Sequence, residues 1–169
     1  MTLKCISVYS RDTEATPYQF VSQTTQIFRG EYSYKMDPKN RVSIHPDFRP
    51  APGEKVFLMR AKSEDMPVLK VLNGAEYDRR VAIVEKSDKT EKEKNKLRGD
   101  LARRCHEASI NEQGKLLISK GLVEEVGIET EGTAWLIGRH SYFEIMSGAN
   151  YDTLRKNEED DEDDLGIYD

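Results

Sequence analysis

Two short turn sequences hold the residues best suited to chemistry. Asp37-Pro38-Lys39-Asn40-Arg41 and Asn111-Glu112-Gln113-Gly114-Lys115 each place an oxygen-bearing side chain four residues before a cation. Pro38 presets the first turn position. Asn40 and Gly114 are the residue types that most readily take positive φ, so both segments read as hairpin loops closed at the same place. Arg41 and Lys115 would then leave their loops in the same direction. Asp37 could accept backbone N–H groups across its turn or hold the Arg41 guanidinium. Lys35 and Lys39 add charge beside the first turn, and Arg103, Arg104 and Lys115 are expected around the second. A lone Arg flanking a hairpin is usually solvated surface. Two matched cations at a fixed separation instead suit the repeating phosphates of DNA, and a guanidinium can also fork onto a guanine edge.

The turns belong to a wider repetition. Asn73-Gly74-Ala75-Glu76-Tyr77-Asp78 aligns with Ser147-Gly148-Ala149-Asn150-Tyr151-Asp152 at an offset of 74 residues, and the same offset lays Arg29 on Arg103, Asn40 on Gly114 and Ile44 on Ile118. Agreement in register across several segments points to a chain built twice.

The elements that must position the turns follow from periodicity. Tyr32, Tyr34 and Met36 alternate with Ser33 and Lys35, and Val42 and Ile44 alternate with Arg41 and Ser43, which predicts a β-hairpin around the first turn. His106, Ala108 and Ile110, then Leu116 and Ile118, predict its second copy. The apolar runs 56–59, 68–72, 134–137 and 142–146 read as short buried strands. Gly74 breaks the pattern before a helix over 75–86, with Tyr77, Val81 and Val84 at helical spacing. Asp88 or Thr90 could cap a second helix through the lysine-rich stretch, with Gly99 at its end. The helix after Gly148 is expected to be short. The resulting class is α+β, with a flexible leader at 1–27, a first repeat with its helices at 28–98, a second repeat at 99–154 and an acidic tail at 155–169.

Composition sets the outer limits. Of 169 residues 34% are charged, and the formal charge of −5 argues at first sight against a polyanionic partner. Seven of the acids form one run at 158–164, however, and removing them from −5 leaves +2. That run reads as a solubilising tail. No stretch approaches the roughly 18 apolar residues of a membrane span, and residues 1–27 lack a signal-like pattern, so a soluble cytoplasmic protein without membrane contact is expected. With Cys5 and Cys105 the only cysteines, no structural disulfide is expected. His45, His106 and His140 are scattered, no Gly-rich phosphate loop or nucleophile arrangement occurs, and neither a metal, a cofactor, a small-molecule substrate nor an enzymatic activity is expected. Trp135 and the tyrosines fall in apolar strand runs, as core residues do.

Phe28-Arg29-Gly30-Glu31-Tyr32, the Asp37-x-x-x-Arg41-Val42-Ser43-Ile44 segment and its weaker copy over 111–118 resemble the MraZ family of bacterial DNA-binding regulators across about residues 28–154. The resemblance implies an AbrB/SpoVT-like fold of swapped-hairpin β-barrel modules, subunits assembled into a ring, and repression of a division and cell-wall gene cluster from a nucleoid-associated position. Carried over, the DNA-contacting residues fall on Asp37, Lys39, Asn40 and Arg41 and on Asn111, Gln113, Gly114 and Lys115, with Lys35 added from the charge around the first turn. The family favours Gly at the Asn40 position, Asp at Asn111 and Arg at Lys115. Lysine keeps the charge and loses the planar fork, so the second turn should discriminate bases less. The expected partners are double-stranded DNA and further copies of the chain. A ring-forming scaffold that has lost useful DNA affinity is the alternative; deleting 157–169 should tighten DNA binding if the tail is an internal mimic and abolish partner capture if it is a recruiter.

Overall fold

Alternation produces the first strand. In the computed structural model, which describes residues 25–159 together with 166 and 167, β1 (Glu31–Lys35) half-buries Tyr32 and Tyr34 and exposes Glu31, Ser33 and Lys35. β2 (Arg41–Ser43) follows, then a single 3-10 turn at Pro46–Phe48, β3 (Lys55–Ser63) and β4 (Met66–Asn73). Helices α1 (Gly74–Glu85) and α2 (Glu91–Arg104) lead into β5 (Cys105–Ser109), β6 (Lys115–Leu117), α3 (Lys120–Glu125), β7 (Thr133–Gly138), β8 (Phe143–Ser147) and α4 (Gly148–Glu158). The described residues thus form a mixed α+β structure with four α-helices. Residues 1–24 of the expected leader, and most of the acidic run, lie outside them.

Six strands form an antiparallel sheet in the order β1-β7-β8-β4-β3-β5, and β2 and β6 form a second sheet of two. This corrects the expected simple hairpin. β1 and β2 share only the turn between them: β1 pairs with β7, and β2 with β6, from the other half of the chain. The physical reason is the core. Val42, Ile44, Leu116 and Ile118 must cover the apolar face of the large sheet formed by Val56, Leu58, Leu69, Val71, Leu136 and Ile145, so the chain turns away from its own first strand. Each such side chain taken fully out of water stabilises the fold by about 1.5–3 kcal/mol.

The pairing is symmetric under the sequence offset. Val42 faces Leu116 and Lys70 faces Glu144, each the other's counterpart 74 residues away. The sheet order also reads alike from both edges once β1 is matched with β5, β7 with β3 and β8 with β4. The offset does not hold throughout. Lys35 faces Thr133 where Ser109 faces Lys55, so Thr133 stands 78 residues after its counterpart. The chain spends those four residues around the unanticipated α3, which buries Leu122 and Val123, and recovers them because β7 and β8 are shorter strands than β3 and β4.

The repeated Gly-Ala-x-Tyr-Asp sequence is a helix start. Asn73 accepts from the Glu76 N–H at 2.8 Å and Ser147 from the Asn150 N–H at 3.2 Å, each capping one orphan donor. One turn on, Tyr77 stacks on Phe57 of β3 with ring centroids 4.6 Å apart, and Tyr151 on Trp135 of β7 at 3.6 Å. One alternative left open by the sequence is decided, and three details differ from the sequence reading. Thr90 and Glu93 form a reciprocal capping box, so Thr90 rather than Asp88 starts α2. Gly99 does not end that helix, which runs on to Arg104 because its last turn carries Arg103 and Arg104, favourable cations at a C-terminus. α4 is eleven residues long rather than short, anchored by buried Leu154 against Val68, Ile137 and Met146. His106 is exposed, since β5 is an edge strand and the inward contacts of this stretch come from Ala108 and, just beyond the strand, Ile110.

Candidate nucleic-acid interface

The two turns are built by the same hydrogen bonds. In the first, the Asp37 N–H donates to the Arg41 carbonyl at 2.9 Å and the Asn40 N–H to the Asp37 carbonyl at 3.0 Å. In the second, Asn111 donates to Lys115 at 2.9 Å and Gly114 to Asn111 at 2.8 Å. Asp37 Oδ1 accepts from the N–H groups of Lys39 and Arg41, both at 2.9 Å, and Asn111 Oδ1 accepts from those of Gln113 and Lys115 at 3.0 and 2.9 Å. These are Asx turns, and a single oxygen suffices for them. Asn111 therefore holds its loop as well as an aspartate would. Asn40 and Gly114 both take the left-handed conformation, with φ of 58° and 74°.

Each turn is also pinned to the opposite half. The Ile44 N–H donates to the Gly114 carbonyl at 2.8 Å, and the Ile118 N–H to the Asn40 carbonyl at 2.9 Å. Because the β2–β6 ladder is only three pairs long, the two loops lie close together. Asp37 sits between their cations: its Oδ2 accepts from Arg41 Nε at 2.7 Å, and Lys115 Nζ stands 4.0 Å from the same oxygen. Desolvation opposes the charged carboxylate, but the backbone and side-chain hydrogen bonds from Arg41 and the Lys39 N–H outweigh it and hold the Asp37 carboxyl below the usual range. One acid thus orients two cations, each about one-third exposed at 34% and 33%.

Lys35 and Lys39 are exposed beside this pair, as are Asn111 and Gln113, whereas Asn40 and Lys115 are half-buried and Gly114 is buried. The expectation for Arg103 and Arg104 is corrected. They close α2 at the far end of β5 from the second turn and instead line a cavity of about 430 Å³ with Arg60, Lys62 and Glu125. Arg49 was not anticipated at all. Its Nε donates to the Ile44 carbonyl at 2.8 Å, and its guanidinium covers Gly114. The only trace in the sequence is the choice of Gly at 114 where the first turn tolerates Asn.

What the geometry defines is an α+β protein presenting two matched cation-bearing loops on one surface. No helix among the described residues is long and apolar enough to cross a membrane. No family model matches the chain. It is a distant relative of the transcriptional regulator MraZ of Mycoplasmopsis pulmonis (strain UAB CTIP), with 22% identity over 132 residues that make up 78% of this chain and 86% of that protein.

Proposed function

We propose that this protein is a transcriptional regulator of the MraZ family that binds double-stranded DNA through the paired turns and is not an enzyme. The observation that carries the reading is Asp37 holding Arg41 and standing near Lys115, which gathers two partly exposed cations from opposite halves of the chain beside one short ladder. The relationship to a transcriptional regulator over most of both chains supports it. In this reading the halves at 28–98 and 99–154 are AbrB/SpoVT-like repeats that exchange hairpins, with α2 as the connector across their boundary. Arg41 reads base edges or phosphate, Lys115 holds phosphate, and Lys35, Lys39, Asn40, Asn111, Gln113 and Gly114 shape and charge the same surface. Several subunits in a ring would place such surfaces along one repeated promoter element, where linkage multiplies modest individual contacts. Repression of a division and cell-wall gene cluster, in the cytoplasm at the nucleoid, is the corresponding role.

The test is titration of duplex DNA from directly upstream of the protein's own coding region with wild type, Arg41→Ala and Lys115→Ala over a range of salt. Both variants should bind more weakly, and wild-type affinity should fall steeply as salt rises. Unchanged binding in both variants removes the site. Native mass measurement with and without that DNA tests the ring: a monomer that remains a monomer on DNA excludes it.

A further inference from the structure

Arg49 is held in place from several directions. Its N–H donates to the Pro46 carbonyl at 3.2 Å, its carbonyl accepts from Gln26 Nε2 at 3.0 Å, and its Nε donates to the Ile44 carbonyl at 2.8 Å. The guanidinium lies against the second turn, where a Cβ added to Gly114 would overlap Nε, Cζ and Nη2. Glycine at 114 suits both the positive φ and the arginine that lies in the side-chain space, which a side chain there would have to displace. Arg49 is exposed, and among the described residues no carboxylate forms an ion pair with it. Arg41, by contrast, is neutralised by Asp37, and Lys115 stands near the same carboxylate.

The second turn has a lysine where the first has an arginine, so it lacks a planar donor fork of its own. We propose that Arg49, reaching over from the first half, supplies that fork, and that Arg49 and Lys115 form a binding site at the second turn for one phosphate of the DNA backbone. The site rests on the DNA-binding reading above. With Nε engaged by Ile44, the Nη groups remain as donors, and a guanidinium presents them in the geometry a phosphate accepts. Lys115, the residue after Gly114 and one-third exposed, adds a point charge to the same turn. Because the Nε–Ile44 bond already orients the guanidinium, less of its side-chain freedom is left to lose on binding.

The experiment measures affinity and its salt slope for the same upstream duplex and for a random-sequence duplex, using full-length wild type, Arg49→Gln, Arg49→Lys and, as control, Arg41→Ala. Arg49→Gln should bind both duplexes roughly tenfold more weakly, with the slope of log affinity against log salt smaller by about 0.9 for each phosphate lost. Arg49→Lys should restore the slope and part of the affinity. Arg49→Met, which keeps the aliphatic stem over Gly114, serves as the neutral variant if Arg49→Gln folds poorly. A neutral variant with unchanged affinity and slope, while Arg41→Ala binds weakly, overturns the phosphate site and leaves the DNA reading standing. Weaker binding with an unchanged slope and no rescue by lysine also overturns it, assigning Arg49 to support of the turn. Loss of nothing in any variant, Arg41→Ala included, removes the DNA reading itself.

Discussion

At the residue scale, the two turns solve one conformational problem with different side chains, and the difference is measurable. Asn40 and Gly114 share the left-handed backbone, but only Gly114 has a guanidinium over it. Gly114→Ala should destabilise the protein by about 2–3 kcal/mol, combining the positive-φ cost with displacement of Arg49, whereas Asn40→Gly should change stability by less than about 1 kcal/mol. Urea midpoints of the two variants decide it, and a Gly114→Ala loss of only about 1 kcal/mol, the cost of a left-handed residue alone, would show that the Arg49 packing contributes nothing. Asp37 adds a pH signature. Its folded-state pKa is depressed, so its contribution is present above the unfolded value and is lost as pH falls through the folded one. Asp37→Asn should retain the Oδ1 bonds, as Asn111 does, but lose the Arg41 pair. The stability gap between wild type and Asp37→Asn should therefore be widest near neutrality and close below about pH 4; a gap that stays constant down to pH 2 refutes the assignment. The turns themselves were legible because Asx and left-handed residues announce their geometry locally. Arg49 was not, since nothing in a run of Pro46-Asp47-Phe48-Arg49 reveals that its side chain lands on a residue 65 positions later.

At the element scale, what is local was readable and what is shared between elements was not. Alternation marked β1, apolar runs marked β3, β4, β7 and β8, and the Gly-Ala-x-Tyr-Asp repeat marked two helix starts whose caps and stacked tyrosines now give it a physical meaning. Asn73→Ala and Ser147→Ala should each cost about 1 kcal/mol, the usual loss of an N-cap side chain. The helix end at Gly99 was misread because glycine marks a C-terminus only where the chain must turn left-handed. Here it continues the helix, and nothing lies within 4 Å of the space a side chain would occupy. Gly99→Ala should then stabilise the protein by about 0.5–1 kcal/mol. Thermal unfolding checks this, and a lower midpoint would mean that α2 does not extend through position 99.

At the scale of the whole molecule, partner choice between strands is set by the core rather than by any local pattern, which is why the exchange of β1 and β2 between two sheets could not be read from the turn that joins them. Its thermodynamic consequence follows directly. β1 finishes a ladder begun by β7, β2 one completed by β6, and β3 one extended by β5, so each half of the chain satisfies backbone groups of the other. Buried Glu144 sits at the point where the halves meet, bonded to Arg139 at 3.0 Å and facing Lys70 across the β4–β8 pair. Neither half can lose its strands while the other keeps its core. Unfolding by urea should therefore be a single transition, in which Trp135 fluorescence, reporting β7 and its stack on Tyr151, coincides with far-ultraviolet circular dichroism of the whole chain. Arg139→Ala, which leaves the Glu144 carboxylate buried with a weaker partner, should lower stability by roughly 2–3 kcal/mol and shift both probes together. The helical pair is the exception that the same geometry allows. α2 buries none of its residues, so its amides should exchange with solvent well before those of β8, whose five residues are all buried. Two separated transitions by fluorescence and dichroism, or α2 protected as strongly as β8, would mean that the halves are coupled in some way other than through their shared sheets.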